Sequence, residues 1–240
     1  MAEQSDLFAP GVAEFPQVTP VAPDPARDLQ QRFAAYGVAA LDEGDVLALV
    51  LGHCLRPGAD AVAAAEALIA RFGAIGRVLG AADADLARVI GVSATRQLGL
   101  LHALLLRVLE HPLRQRPVLS SHQAVNAYLR ARLTALPREA FHVLFLDRKN
   151  QLLADERLGD GTVDHAPVYP REVVRRALEL SASALLLAHN HPSGDPQPSG
   201  ADVEMTRKVV EAARVLGIVV HDHFVVAGDQ VVSLRALGLM

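Results

Sequence analysis

At 240 residues, with 51% hydrophobic and 21% charged side chains, the chain has ordinary globular composition and room for one large or two modest domains, which excludes wholesale disorder. Its single cysteine, Cys54, excludes an intramolecular disulfide and any multi-cysteine zinc site, so a metal would have to be held by histidine and carboxylate. The net charge of −4 excludes a general electrostatic pull toward nucleic acid.

Residues 1–27 place Pro10, Pro16, Pro20, Pro23 and Pro25 among small and acidic residues, with neither a 3.6 nor a 2.0 period, and are expected to form a flexible tail. They lack the basic start, apolar run and cleavage site of a secretory signal, and no later apolar run reaches the ~18 residues that span a membrane. A soluble cytoplasmic protein is the expectation. From Asp28 to residue 113 alanine and leucine recur at three and four residues, which predicts an all-helical domain with helices near 29–35, 45–53, 60–72, 75–80, 83–89 and 94–110. Within it, Asp85-Leu-Ala-Arg-Val-Ile-Gly-Val-Ser93 before an apolar helix reads as a helix-hairpin-helix-like element. Such a hairpin either offers backbone amides to a DNA phosphate or packs its own small core, and Ser93 stands where a second hairpin glycine would be. DNA is thus one candidate partner of this domain.

The Pro-bounded stretch Arg114–Pro117 marks a domain boundary, after which Ser120 or Ser121 can cap a helix over 122–133. In the second domain, 118–240, Phe141–Leu146 reads as a strand, Asp147–Asn150 as a turn and 151–157 as its hairpin partner. Gly159-Asp160-Gly161 permits a turn or bulge, 162–168 extends the sheet, and Pro170 opens a helix through Leu180. Ala184–Ala188 is an unbroken apolar run, as in a strand buried on both faces, and it ends in His189-Asn-His191. A helix over 200–216 and strands over 218–226 and 230–233 complete the order. This mixture predicts an α+β chain whose second domain is an α/β sandwich, with helices against a curved mixed sheet.

Residues two apart on a strand share a face, so His189 and His191 can present both imidazoles to one point while Asn190 turns away. Pro192-Ser-Gly-Asp-Pro196 forces a loop, and the next helix starts near Ser199 with Asp202 in its first turn. Two imidazoles and a carboxylate leave one tetrahedral position for water, the open arrangement of catalytic zinc, which brings the pKa of that water toward ~7. A further carboxylate must carry the proton, and a hydroxyl or amide is useful where the oxyanion develops. Ser199-x-x-Asp202 is also a helix-capping pattern, and both roles are expected together. His221 and His223 form a second His-x-His, expected on one strand face. No carboxylate stands at comparable spacing, so one of them is expected to support the sheet or to orient a ligand from behind.

His189-Asn-His-Pro-Ser-Gly-Asp-Pro-Gln-Pro-Ser199 with Asp202 resembles the JAMM motif of JAB/MPN metalloproteases, in the form found in the RadC family. The resemblance extends to Glu139–Asp147, Tyr169–Val173 and Asp222-His223, and the helical half is similar to the RadC N-terminal region. It implies a cytidine-deaminase-like sandwich and a Zn2+ ion held by His189, His191 and Asp202. It also implies a motif serine at Ser199 supporting the oxyanion or water, and an upstream glutamate acting as general base. Glu139 matches that glutamate best; Glu156 and Glu172 are the other candidates.

The leading expectation is a zinc-dependent peptidase or isopeptidase acting on an unidentified peptide or protein. A second is a DNA repair or recombination accessory protein binding DNA through the helical domain, and a third is a metal-free interaction module. The H-x-E and P-C-x-x-C signature of zinc deaminases is absent.

Overall fold

The computed structural model describes residues 25–160 and 168–240. The leader up to residue 24 and the sheet extension expected over 162–167 lie outside the described residues. The first helix, α1 (Pro25–Tyr36), starts ahead of its expected position, with proline at the first helical residue, where the missing N–H costs nothing. α2 (Glu43–Cys54) is fixed by a capping box between Asp42 and Asp45, and α3 (Ala61–Phe72) by Asp60. α4 (Ile75–Leu79) is a short turn of helix. These helices close around Leu47, Leu51, Leu68, Val78, Leu86 and Leu98, the core of the helical half.

α5 (Asp83–Gln115) contains the expected hairpin, because Gly91 adopts φ 76° and ψ 163° and splits the helix in two. Beyond that break it does not stop near residue 110 but runs through Pro112 to Gln115. Leu98 belongs to the helical core, whereas Leu106, Leu109 and Leu113 pack on the core of the sheet, so one helix serves both halves across the expected boundary. By length and composition α5 could cross a bilayer, yet here its buried side chains go into these two cores. The halves also meet where a Cβ on Gly80 would come within 2.4 Å of Ala135 Cβ and where His102 Nε2 bonds the Ala131 carbonyl at 3.0 Å.

The rest of the chain builds a mixed sheet. α6 (His122–Leu133), capped by Ser121, is followed by β1 (Ala140–Leu146) and β2 (Leu152–Asp160), then α7 (Pro170–Glu179) and β3 (Ala184–Asn190). α8 (Gly200–Val215), β4 (Val219–Ala227) and β5 (Gln230–Ser233) complete it. The strand order is β2-β1-β3-β4-β5, with only β3 and β4 parallel. β2 runs through Gly159 to Asp160 rather than turning there, and the irregularity the glycine permits is a register shift opposite Phe141 and His142.

Every residue of β1 and β3 is buried, as central strands covered on both faces require. One face packs Phe141, Val143, Leu185 and Leu187 against Val173 and Ala177 of α7 and Val209 and Ala213 of α8. The other packs Leu144, Leu186 and Phe224 against Tyr128, Leu129 and Leu133 of α6. The chain is thus a helical region followed by a five-stranded α/β sandwich.

Candidate metal centre

β3 carries His189 onto the face that looks toward α8, as its neighbours Leu185 and Leu187 do. His191 lies one step past the strand, but its N–H still donates to the Val226 carbonyl at 2.8 Å, which keeps it in line with the sheet. A turn follows at once: Gly194 N–H donates to the His191 carbonyl at 3.1 Å. Pro192 supplies the fixed φ of its second position, and Gly194, its last residue, carries the chain out of the turn at φ 83°. The chain then reaches Ser199, the N-cap of α8, and Asp202 enters from the first helical turn.

The three side chains converge. His189 Nε2 lies 2.9 Å from His191 Nε2 and 3.3 Å from Asp202 Oδ1, and His191 Nε2 lies 3.6 Å from Asp202 Oδ2. One ligand atom from each falls within 4.8 Å of the others. Tetrahedral ligands on bonds of ~2.0–2.1 Å stand about 3.3–3.4 Å apart, so these spacings suit a single cation of zinc size. Among the described residues no other group of histidine, cysteine and carboxylate side chains meets this condition.

The outer bonds fix which ring nitrogens face the centre. His191 Nδ1 donates to the Asp195 carbonyl at 2.7 Å, which turns its Nε2 inward. Behind His189 runs a directional series. His189 Nδ1 lies 2.8 Å from His223 Nε2, His223 Nδ1 lies 2.6 Å from Thr206 Oγ1, and Thr206 Oγ1 donates to the Asp202 carbonyl at 2.6 Å. Since the threonine proton goes to the carbonyl, His223 donates from Nδ1 and accepts at Nε2, so His189 must donate from Nδ1. Burial pushes the His223 imidazole well below its ordinary pKa, which suits this neutral form. Phe141 stacks on His189 and meets His223 edge-on, closing the apolar side.

Asp202 Oδ2 accepts from the Ser199 N–H at 2.7 Å and the Ser199 hydroxyl at 2.6 Å, while Oδ1 faces His189. The capping box therefore also orients the carboxylate. Burial would raise the Asp202 carboxyl, but hydrogen bonds with His189 and His191 hold it well below the usual range. The same bond to Asp202, aided by the Asp195 carbonyl and by the charges of Asp202 and Glu139, raises the His191 pKa. A group of net negative character held in this way favours a cation.

Glu139, half-buried, sits immediately before β1, close enough for its charge to act on His191. Among the described residues it has neither an ion pair nor a hydrogen bond. The other two glutamates are engaged: Glu156 is held by Arg176 through bonds of 2.7 and 2.6 Å, and Glu172 by Arg175 at 2.9 Å. Asn190, expected merely to turn away, is 1% exposed and fastens the segment before Glu139. Its amide donates to the Leu136 and Arg138 carbonyls at 3.2 and 3.1 Å and accepts from Ala140 N–H at 2.8 Å. That function was not read from the sequence, where Asn190 offered only its place between two histidines.

The expectation that His221 and His223 share a face is corrected. A register shift pairs Leu185 with Val220 but Leu186 with Asp222, leaving His221 as the extra residue of a bulge. His223 faces α8, whereas His221 bonds Asn150 Oδ1 at 2.7 Å and lines a crevice with Val118 and His122 on the α6 side.

Comparison with known proteins agrees with this architecture. Residues 119–239 match the family described as the RadC-like JAB domain. The chain is also similar to the UPF0758 protein of Rhodobacter capsulatus, 48% identical over 214 residues that span 88% of this chain and all of that relative. With the motif, the mixed sheet and the converging His-His-Asp group on the same residues, the chain belongs to the RadC family.

Proposed function

We propose that the chain is a zinc-dependent hydrolase of amide bonds, a peptidase or isopeptidase acting on a peptide or protein, with His189, His191 and Asp202 as metal ligands. The observation that carries this reading is the convergence of two imidazole nitrogens and one carboxylate oxygen at tetrahedral spacings, on ligands braced from behind. When bound, the zinc ion supplies Lewis acidity and brings the pKa of a coordinated water toward ~7.

The residues of the chain do the rest. The outer nitrogens of His189 and His191 donate to His223 and to the Asp195 carbonyl, which turns each Nε2 toward the centre. Ser199 holds Asp202 through two bonds to Oδ2, which turns Oδ1 inward. Since its hydroxyl proton is committed there, we assign Ser199 to positioning the carboxylate rather than to the oxyanion. Glu139 is the proton carrier: its carboxylate takes a proton from the attacking water as the carbon–oxygen bond forms. It then returns that proton to the amine nitrogen as the carbon–nitrogen bond breaks. Asn190 keeps the Glu139 backbone at a fixed distance from β3.

The test is a peptide-cleavage screen on zinc-loaded protein, with Glu139→Ala beside the wild type. The variant should retain its zinc and lose roughly 100- to 10,000-fold in turnover. Equal turnover would remove Glu139 from the mechanism.

A further inference from the structure

A crevice of about 310 Å3 opens beside the metal centre, and each half of the chain supplies one wall. That volume is at the lower end of the ~300–1,000 Å3 of small-ligand sites. His191, Pro192 and Gly194 form the side nearest the metal ligands, and Arg71, Phe72 and Arg77 face them from α3 and α4. The floor is the C-terminal edge of the sheet, the position where ligands enter open α/β sheets. Here His191 is bonded to Val226, and Thr134 Oγ1 donates to the Gly228 carbonyl at 3.0 Å. The Arg77 guanidinium lies directly over Gly228, where a Cβ would stand 3.3 Å from Nη2.

The two arginines are not equivalent. Arg71 is bound to Asp85 at 2.8 Å, and Arg88 shares the same carboxylate at 2.7 Å. Arg77 has no ion pair or hydrogen bond among the described residues. Glu43 and Asp229 line the neighbouring crevice with it, but neither lies within ion-pair distance, and Glu43 accepts from Ile75 N–H at 3.0 Å. Arg77 is itself exposed, but it stands over bare backbone at the wall of a crevice that includes a metal-ligating residue, and its fork of donors matches a carboxylate.

We propose that Arg77 is a specificity-determining residue that binds a carboxylate of the peptide substrate, fixing the chain in the crevice with an adjoining amide at the metal centre. The helical half then contributes directly to substrate choice. The placement of the scissile amide rests on the hydrolase reading above, whereas the carboxylate subsite itself does not.

Binding and turnover separate the two. Three peptides serve as probes: acetyl-Gly-Glu-Gly-amide, acetyl-Gly-Gln-Gly-amide, and acetyl-Gly-Gln-Gly with a free C-terminal carboxylate. Each is titrated by NMR into zinc-loaded Glu139→Gln protein with Arg77 intact or replaced by Gln or Glu, zinc content being checked in every variant. With Arg77 present, one carboxylate peptide should bind about tenfold tighter than the neutral one, the worth of one charge-assisted hydrogen bond. A preference for the glutamyl peptide identifies a side chain as the source, and a preference for the free-acid peptide identifies the chain terminus. Arg77→Gln should abolish the preference without changing affinity for the neutral peptide, and Arg77→Glu should reverse it. A preference that survives Arg77→Gln, or no preference in the parent protein, overturns the proposal. If the preference obeys Arg77 but the wild type cleaves none of these peptides or longer ones built on them, the subsite stands and the hydrolase reading fails.

Discussion

The chain contains two His-x-His pairs on neighbouring parallel strands, and they behave differently. His189 and His191 leave the end of β3, where the following turn and helix return a carboxylate to them. His221 and His223 lie inside β4, where a bulge sends them to opposite faces. His223 becomes the bonding partner of His189, and His221 the partner of Asn150. Equal spacing therefore produced a convergent pair in one strand and a divided pair in the other. What separates them is whether the strand stays regular and what the chain does next.

The largest expected effect comes from removing a member of the convergent pair or its carboxylate. His189→Ala and Asp202→Ala should each lower zinc affinity by roughly a thousandfold, measured by competition with a chelator, because two remaining donors no longer enclose the ion. Retention of wild-type affinity in both would mean that the metal, if bound, sits elsewhere. His223→Ala comes next: losing the acceptor behind His189 should cost about 10- to 100-fold in the same affinity, although His223 is not placed as a ligand. If zinc binding is unchanged, the brace contributes nothing to the centre.

A third buried histidine sharpens the contrast, since His142 is paired with a single carboxylate and no second imidazole. Its Nδ1 donates to Asp155 Oδ1 at 2.8 Å, and the same carboxylate accepts from Tyr128 at 2.6 Å and Arg132 at 3.2 Å. Burial would raise the Asp155 carboxyl, but the bond from His142, helped by Tyr128 and Arg132, lowers it below its ordinary 3.8. A carboxyl depressed in the folded state stabilises fully above its unfolded pKa and loses that contribution as pH falls through the folded one. Asp155→Asn should accordingly cost about 1–2 kcal/mol at pH 7 by urea denaturation, and the gap to wild type should narrow at pH 3. A gap that is constant with pH would refute the charge-based account. Smallest is His221→Ala, which should leave zinc affinity intact and change stability by no more than ~0.5–1 kcal/mol, the loss of one side-chain bond to Asn150.

Much of this was legible from local rules. The unbroken apolar run before His189, the Pro-Gly turn and the Ser199 cap each follow from short-range physics, and together they give the order strand, loop, helix that brings Asp202 back. The bulge at His221 was not legible, because the extra residue is set by packing against β3 and carries no glycine to announce it. The bonding role of Asn190 was missed for a related reason: alternation says correctly which side a residue faces, but not which carbonyls of a distant segment wait there. Likewise the helix was expected to end near residue 110, yet contacts of Leu106, Leu109 and Leu113 with the sheet core outweigh the backbone bond that Pro112 removes.

That continuation of α5 separates the stretch matched by the JAB domain family from the unit that can stand by itself. The match to the RadC-like JAB domain begins at residue 119, but a fragment cut there would strip the sheet of the leucines that α5 lays over its rear surface. Such a truncation should come out of cells as aggregate, whereas a start at Val92, just after the Gly91 break, carries its own cover along. Anyone wishing to study the metal-bearing part in isolation should therefore choose the earlier starting point.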